Sequence, residues 1–201
     1  MSLYRDRAVV LRTWKLGEAD RIISLLTHEH GKVRGVAKGV RRTKSKFGAR
    51  LEPLSHVAVQ LYRGRGDLDT VTQVETLDRF ATLRADPDRF ARAEAMLEAV
   101  DNVAQDREPD RALHVMLVRA LATLDRDDSP LVVAAFVLKL LAHEGLQPHL
   151  GHCVSCGAEE PLVAFDLEAG GVLCAECRRG RPISPEAIGV MRRVLGGGLA
   201  G

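Results

Sequence analysis

DRAVVLRTWKLGEADRIISLLTHEHGKVRGVAK, residues 6–38, decides the fold. Val, Ile, Leu and Thr crowd into three runs, 6–15, 20–28 and 32–38, broken at Gly17 and Gly31, with no helical-period segment between them. Two further runs follow at 54–63 and 67–77, set off by Gly39, Gly48, Gly64 and Gly66. Five short strands with no helix to cover a sheet suggest a small closed barrel, because closure removes sheet edges. The five-stranded oligonucleotide-binding (OB) barrel has this strand count and is the expected fold of residues 1–80.

The pattern changes at Asp86-Pro87. An Asp or Ser before Pro starts a helix well, since the side chain caps and proline fills a first-turn position that needs no donor. The pair recurs at Ser129-Pro130 and Ser184-Pro185. Phe90, Ala93, Leu97, Val100 and Ala104 form one apolar stripe, and Leu113, Leu117, Leu121 and Leu124 form a second. Residues 131–145 are apolar on nearly every side and read as a buried central helix stopped at Gly145. The expected fold class is therefore α+β and multidomain. An OB barrel (1–80) precedes a helical domain (81–149), a four-cysteine module (150–180) and a C-terminal helix (181–201) that returns to the helical domain.

The cysteines fall in two Cys-x-x-Cys pairs, Cys153/Cys156 and Cys174/Cys177, with none left over. The spacing suits tetrahedral thiolate coordination of one Zn²⁺, and a closed four-sulfur shell makes the metal structural. Disulfides are the alternative in an oxidising compartment, but the charged start Met1–Arg7 has no signal-peptide character. A thioredoxin-like redox pair would need one such motif in a βαβ setting, and here there are two. His149 and His152 beside the first pair read as neighbours of the site or surface residues. No apolar run reaches the length of a membrane span, so a soluble, cytoplasmic protein is expected.

Net charge is only +2, but residues 1–80 carry +7 and residues 81–150 carry −4. Lys32, Arg34, Lys38, Arg41, Arg42, Lys44, Lys46 and Arg50 occur within residues 32–50 without one acidic residue. Unneutralised, such a cluster repels itself until a polyanion arrives, which points to nucleic acid; a solvated charged face is the plainer reading. Strand alternation puts Lys32, Arg34 and Lys38 on one face, opposite Val33, Gly35 and Ala37. Trp14, Phe47 and Tyr62 are available to stack on bases, although Trp14 and Tyr62 read equally well as core.

His28-Glu29-His30 invites a metal or acid–base reading, but without a third ligand it reads as a surface turn. The chain has no phosphate-binding Gly-x-x-x-x-Gly-Lys-Ser/Thr loop, no Gly-x-Ser-x-Gly elbow and no His-Glu-x-x-His. Nothing supports catalysis, so a protein that is not an enzyme is expected. A rival reading is a zinc-ribbon regulator that reads duplex sequence through Arg178, Arg179 and Arg181. A zinc hydrolase is disfavoured by the closed ligand set.

Gly17-Glu18-Ala19-Asp20-Arg21, Leu25-Leu26-Thr27, Gly31-Lys32, Ala37-Lys38-Gly39-Val40-Arg41-Arg42, Ser45-Lys46-Phe47-Gly48 and Leu51-Glu52-Pro53-Leu54 resemble the bacterial recombination mediator protein O (RecO) family. Cys153-Val154-Ser155-Cys156 and Cys174-Ala175-Glu176-Cys177 sit where zinc-bearing members carry their finger. The resemblance implies binding of single- and double-stranded DNA and annealing of complementary strands. It implies work at the nucleoid with the RecR mediator, and with the acidic, apolar tail of single-strand-binding protein, to load the RecA recombinase. That tail calls for a pocket pairing exposed Arg with aliphatic residues. The resemblance also implies further helix after Gly196–Gly201, so a truncated end is one expectation. Some members lack the cysteines, so zinc is not essential to the activity in general.

Overall fold

The computed structural model describes residues 2–45 and 47–197 of the chain, which divides into two compact units, Met1–Val133 and Ala134–Gly201. The first begins with five strands: β1 (Ser2–Leu16), β2 (Asp20–Thr27), β3 (Gly31–Ala37), β4 (His56–Arg63) and β5 (Asp69–Asp78). They close a barrel in the order β1-β2-β3-β5-β4, antiparallel throughout except for β3 against β5. This is the expected OB arrangement. Alternation sends Ala8, Val10, Ile23, Leu25, Val33, Ala37, Val57, Val59, Leu61 and Val71 inward to a shared aliphatic core. A register shift between Val10 and Arg12 turns the end of β1 so that Arg12 and Trp14 face outward.

Phe47 also enters this core, with Leu51 from a 3₁₀ turn at Gly48–Leu51. Phe47 is therefore a barrel plug, not a stacking residue: its apolar ring gains more from burial than from water. Trp14 and Tyr62 are 38% and 37% exposed, so the core reading of those two fails.

Helices α1 (Ala81–Ala85), α2 (Pro87–Val103) and α3 (Arg111–Arg126) complete the unit. Asp86 caps α2 by accepting from the Asp88 and Arg89 amides, and Asp110 caps α3 by accepting from the Leu113 amide. Ala93, Met96, Leu97 and Val100 of α2 are buried, as are Leu113, Leu117, Leu121 and Leu124 of α3. Both predicted stripes are thus core-facing.

The parallel seam of the barrel is short, pairing only Gly35 with Asp69 and Val36 with Thr70. The chain after α2 fills the remaining edge of β3. The Lys32 amide donates to Gln105 O (3.2 Å) and the Arg107 amide donates to Lys32 O (2.9 Å). Arg107 is locked in turn by Asp69, fully buried, which accepts from Arg107 Nη2 at 3.0 Å and from the Tyr4 hydroxyl. Burial and the Asp69 carboxylate push the Tyr4 hydroxyl well above its usual range, so it stays a donor. Gly31 makes the close approach possible. Its φ is +69°, and a Cβ there would stand 2.1 Å from Glu108 O. Gly31→Ala is expected to destabilise the first unit by roughly 2–4 kcal/mol in urea unfolding, since backbone on both sides must shift. An unchanged midpoint would show that the seam is not built on this contact.

His28-Glu29-His30 forms the β2–β3 turn but is not a plain surface turn. Buried Asp6 accepts from the Glu29 amide (2.9 Å) and contacts His30 Nδ1 (2.6 Å), while Glu29 pairs with Arg111 of α3. His28 faces His114, whose ring is also near His56. His114 is 3% exposed and, among the described residues, neither ring nitrogen has a hydrogen-bond partner. Burial, then the neighbouring His56 and His28, push its pKa down to about 4. The unfolded chain takes a proton near pH 6.5 that the folded chain refuses until about pH 4. Stability is therefore complete above pH 6.5 and lost as pH falls toward 4, by on the order of 3 kcal/mol. His114→Leu should flatten that limb of the urea midpoint against pH; an unaltered limb would assign the loss to other groups.

The second unit holds most of α4 (Leu131–His143), then β6 (Leu162–Asp166), β7 (Gly171–Cys174), β8 (Arg181–Pro182) and α5 (Pro185–Leu195). Gly145 ends α4 as expected, with φ +77° and the Leu146 amide donating to Leu141 O at 2.8 Å. The helix is not buried on all sides. Phe136 and Leu140, one turn apart, are its only fully buried side chains, and Leu131, Val137 and Leu141 are exposed. Composition could not distinguish a helix wrapped by protein from one that buries a single stripe. The three strands pair in the order β7-β6-β8, a small sheet that the sequence reading passed over. Ser184 caps α5, and Ile188, Met191 and Leu195 pack into the core of this module. No helix of the described residues is long and apolar enough to cross a membrane.

Candidate nucleic-acid interface and metal centre

The chain leaves the barrel at Ala37 and re-enters it at Phe47, so the basic loop between them is anchored at both ends. It is also pinned across the β1–β2 turn. The Gly39 amide donates to Asp20 Oδ1 (2.7 Å), the Arg41 amide to Ala19 O (3.0 Å), and Arg41 Nη1 to Glu18 O (2.9 Å) and Gly17 O (3.3 Å). Ser45 N donates to Arg42 O at 2.9 Å, folding the loop on itself. Gly39, at φ +68°, makes the reversal out of β3. Lys38, Arg41, Arg42 and Lys44 are left exposed, and among the described residues none has a carboxylate within ion-pair distance. The carbonyls bonded by Arg41 orient its guanidinium without cancelling its charge.

The eight predicted cations divide into groups. Lys32 and Arg34 are not unneutralised. Lys32 donates to Asp101 O at 2.7 Å with the Asp101 and Asp106 carboxylates each 3.9 Å away, and Arg34 Nη2 donates to Asp106 Oδ2 at 2.9 Å. Both aspartates lie more than sixty residues downstream, so a local charge count cannot find them. Arg50 is half-buried, its backbone amide donating to Phe47 O at 3.2 Å. Lys46 lies outside the described residues.

Sequence reasoning missed two members of the exposed basic surface, Arg12 and Lys15 on the outer end of β1. Neither has a carboxylate partner among the described residues, and the Arg12 guanidinium lies 5.5 Å from the centre of the exposed Trp14 ring. The signal was present as polar residues interrupting a strand, but the bulge that turns them outward is not readable from composition. β1 runs directly into the turn on which the basic loop is pinned, so Arg12, Trp14 and Lys15 lie next to that turn along the chain.

The candidate metal centre is built by two knuckles. The Gly157 amide donates to Cys153 O and the Cys153 amide to Ala158 O, both at 2.8 Å, and Gly157 has φ +79°. Segment 149–154 is held on β7 by the bonds Val154 N to Val172 O and Val172 N to His149 O, both 3.0 Å. Gly171 is required there, since a Cβ would meet His149 O at 2.5 Å. The Sγ atoms of Cys153, Cys156, Cys174 and Cys177 all lie within 4.8 Å of one another, and no disulfide joins them. His149 and His152 contact each other at 3.0 Å and lie outside the ligand group.

The donor set fits a single soft divalent cation. Burial opposes ionisation of Cys153, but amides of Cys174, Cys156 and Ser155 outweigh it and pull the thiol down to about 6. At Cys156 the Ala158 amide favours ionisation, but the neighbouring sulfurs win and push the thiol up. Four sulfurs this close cannot all ionise unless a cation sits among them.

A 1-2-3-5-4 barrel bearing an exposed basic loop, joined to a knuckle module whose four cysteines could hold a metal ion, defines an OB-fold protein with a candidate metal module. Family comparison adds the particular kind. The family described as "Recombination protein O N terminal" matches residues 1–80, and that described as "Recombination protein O C terminal" matches residues 84–201. The chain belongs to the recombination protein O family, and its role is that of a DNA-binding mediator of recombination and repair.

Proposed function

We propose that this protein binds single- and double-stranded DNA without sequence preference and anneals complementary strands. The observation carrying this reading is the pinned loop, whose Lys38, Arg41, Arg42 and Lys44 are exposed without acidic partners among the described residues. Phosphate oxygens supply the missing negative charge, and neutralisation lets two strands approach each other. Trp14, backed by Arg12, offers a face on which one base can stack. Annealing of this kind needs no general acid, base or nucleophile, so the protein acts without being an enzyme.

Working at the nucleoid, it cooperates with RecR and with single-strand-binding protein, through that protein's C-terminal tail, to load RecA. Cys153, Cys156, Cys174 and Cys177 hold one structural Zn²⁺, whose closed shell supplies folding energy rather than chemistry.

The test is fluorescence anisotropy of labelled single strands of two unrelated sequences, and of their duplexes, against salt, followed by strand annealing. Salt-steep and sequence-indifferent binding with accelerated annealing supports the proposal. Strong preference for one duplex would favour a sequence-reading regulator using the exposed Arg178 and Arg181, with Arg179 already bonded to Asp166 at 2.8 Å.

A further inference from the structure

The cations of β3 differ in how they are held. Lys32 is 17% exposed, donates to a backbone carbonyl and sits between two carboxylates, so it is part of the packing of α2 on the barrel. Arg34 is 46% exposed and its one ion-pair partner, Asp106, is 50% exposed. A pair this open is screened by water and worth a factor of about five at most in an equilibrium. A partner with several negative oxygens can replace it.

Asp106 is nevertheless held close to Arg34 by backbone. Its neighbours Gln105 and Arg107 bond both polar groups of Lys32, which fixes residue 106 beside β3 whatever its side chain does. The Asp106 carboxylate can therefore swing away while the seam of the barrel stays closed.

We propose that Arg34 is a phosphate subsite on the DNA path, and that Asp106 occupies it in the free protein as an internal stand-in for phosphate. Binding exchanges one Arg–carboxylate pair for an Arg–phosphate pair, with no bond made or broken. Arg34 is exposed on β3, four residues before Lys38, where the chain leaves the strand for the basic loop, so the subsite lies next to the loop along the chain. Lys32 stays with Asp101 in both states. The stand-in lowers affinity for isolated phosphates and leaves the subsite to ligands that already engage the loop. This inference rests on the DNA-binding reading above.

The experiment is anisotropy titration of the full chain with labelled oligodeoxythymidylate at several salt concentrations. Asp106→Asn should tighten binding several-fold and steepen the slope of log K against log salt by up to about 0.7. Glu98→Gln, which removes an exposed α2 carboxylate with no cation partner among the described residues, should have a much smaller effect. In an Arg34→Ala background the Asp106→Asn gain should vanish. If Asp106→Asn does no more than Glu98→Gln, or its gain survives loss of Arg34, the subsite is wrong. Urea midpoints check folding, and Asp106→Ser serves if the Asn variant is unstable. Failure of the underlying reading looks different: the wild-type chain would itself bind without steep salt dependence, overturning both.

Discussion

Replacing Cys153 by serine, or stripping the metal with a chelator, is expected to abolish the folded state of Ala134–Gly201 while leaving the barrel able to bind DNA. The unit has about 70 residues, a size at which one small core rarely suffices without a staple. Its core has few large side chains, with Leu150, Leu162, Val172, Leu173 and Ile188 as the main buried ones, and two of the cysteines belong to it. Its strands run only five, four and two residues. Structural zinc at four thiolates contributes on the order of 10 kcal/mol, more than such a core can replace. Removing one ligand also leaves three sulfurs crowded without a cation. Limited proteolysis should cut within residues 150–197 after chelation while residues 2–126 stay protected, and metal analysis should give one Zn²⁺ per chain. Stoichiometric absence of metal in a protease-resistant, fully reduced chain would overturn the assignment. Loss of DNA binding with the module still folded would place the knuckles on the DNA.

Lys38→Ala with Arg41→Ala and Arg42→Ala is expected to weaken single-strand binding by about 100-fold at about 0.1 M salt, equally for unrelated sequences. Each lost phosphate contact removes about 0.7 from the salt slope, so the slope should flatten by about 2. The fold should survive. Lys38, Arg41 and Arg42 are exposed, and the loop keeps its anchors at Phe47, at Gly39 N on Asp20 and at Arg41 N on Ala19. Annealing should fall with binding, since it depends on charge neutralisation alone. Unchanged affinity and slope would remove the loop from the DNA path and leave Arg12 and Lys15 as the remaining exposed cations of this surface.

Alternation and glycine punctuation fixed five strands and a barrel, because inward positions of a small barrel must be apolar and turns between them need residues that tolerate positive φ. Asp86-Pro87 and Ser184-Pro185 marked helix starts for a similarly local reason, the unsatisfied amides of a first turn. The Cys-x-x-Cys pairs marked the candidate metal ligands, since two knuckles carry their own geometry wherever the chain places them. Each of these is a short-range constraint, and each is written in adjacent residues. The sequence by itself therefore determined the barrel strands and the main helix starts, the candidate ligand set and the location of the positive charge, but not the small β7-β6-β8 sheet.

Only the tertiary structure decided which cations are available. Lys32 and Arg34 look the same as Lys38 and Arg42 in sequence, but Asp101 on the last turn of α2 and Asp106 just beyond it meet the first two, and among the described residues no carboxylate meets the others. It likewise turned Phe47 inward, brought His114 against His28 and His56, and required Gly31 to admit the Glu108 backbone. Ion pairing, burial and steric approach depend on distances in space between residues far apart in the chain, and those distances are set by barrel closure and the packing of α2 and α3 on it.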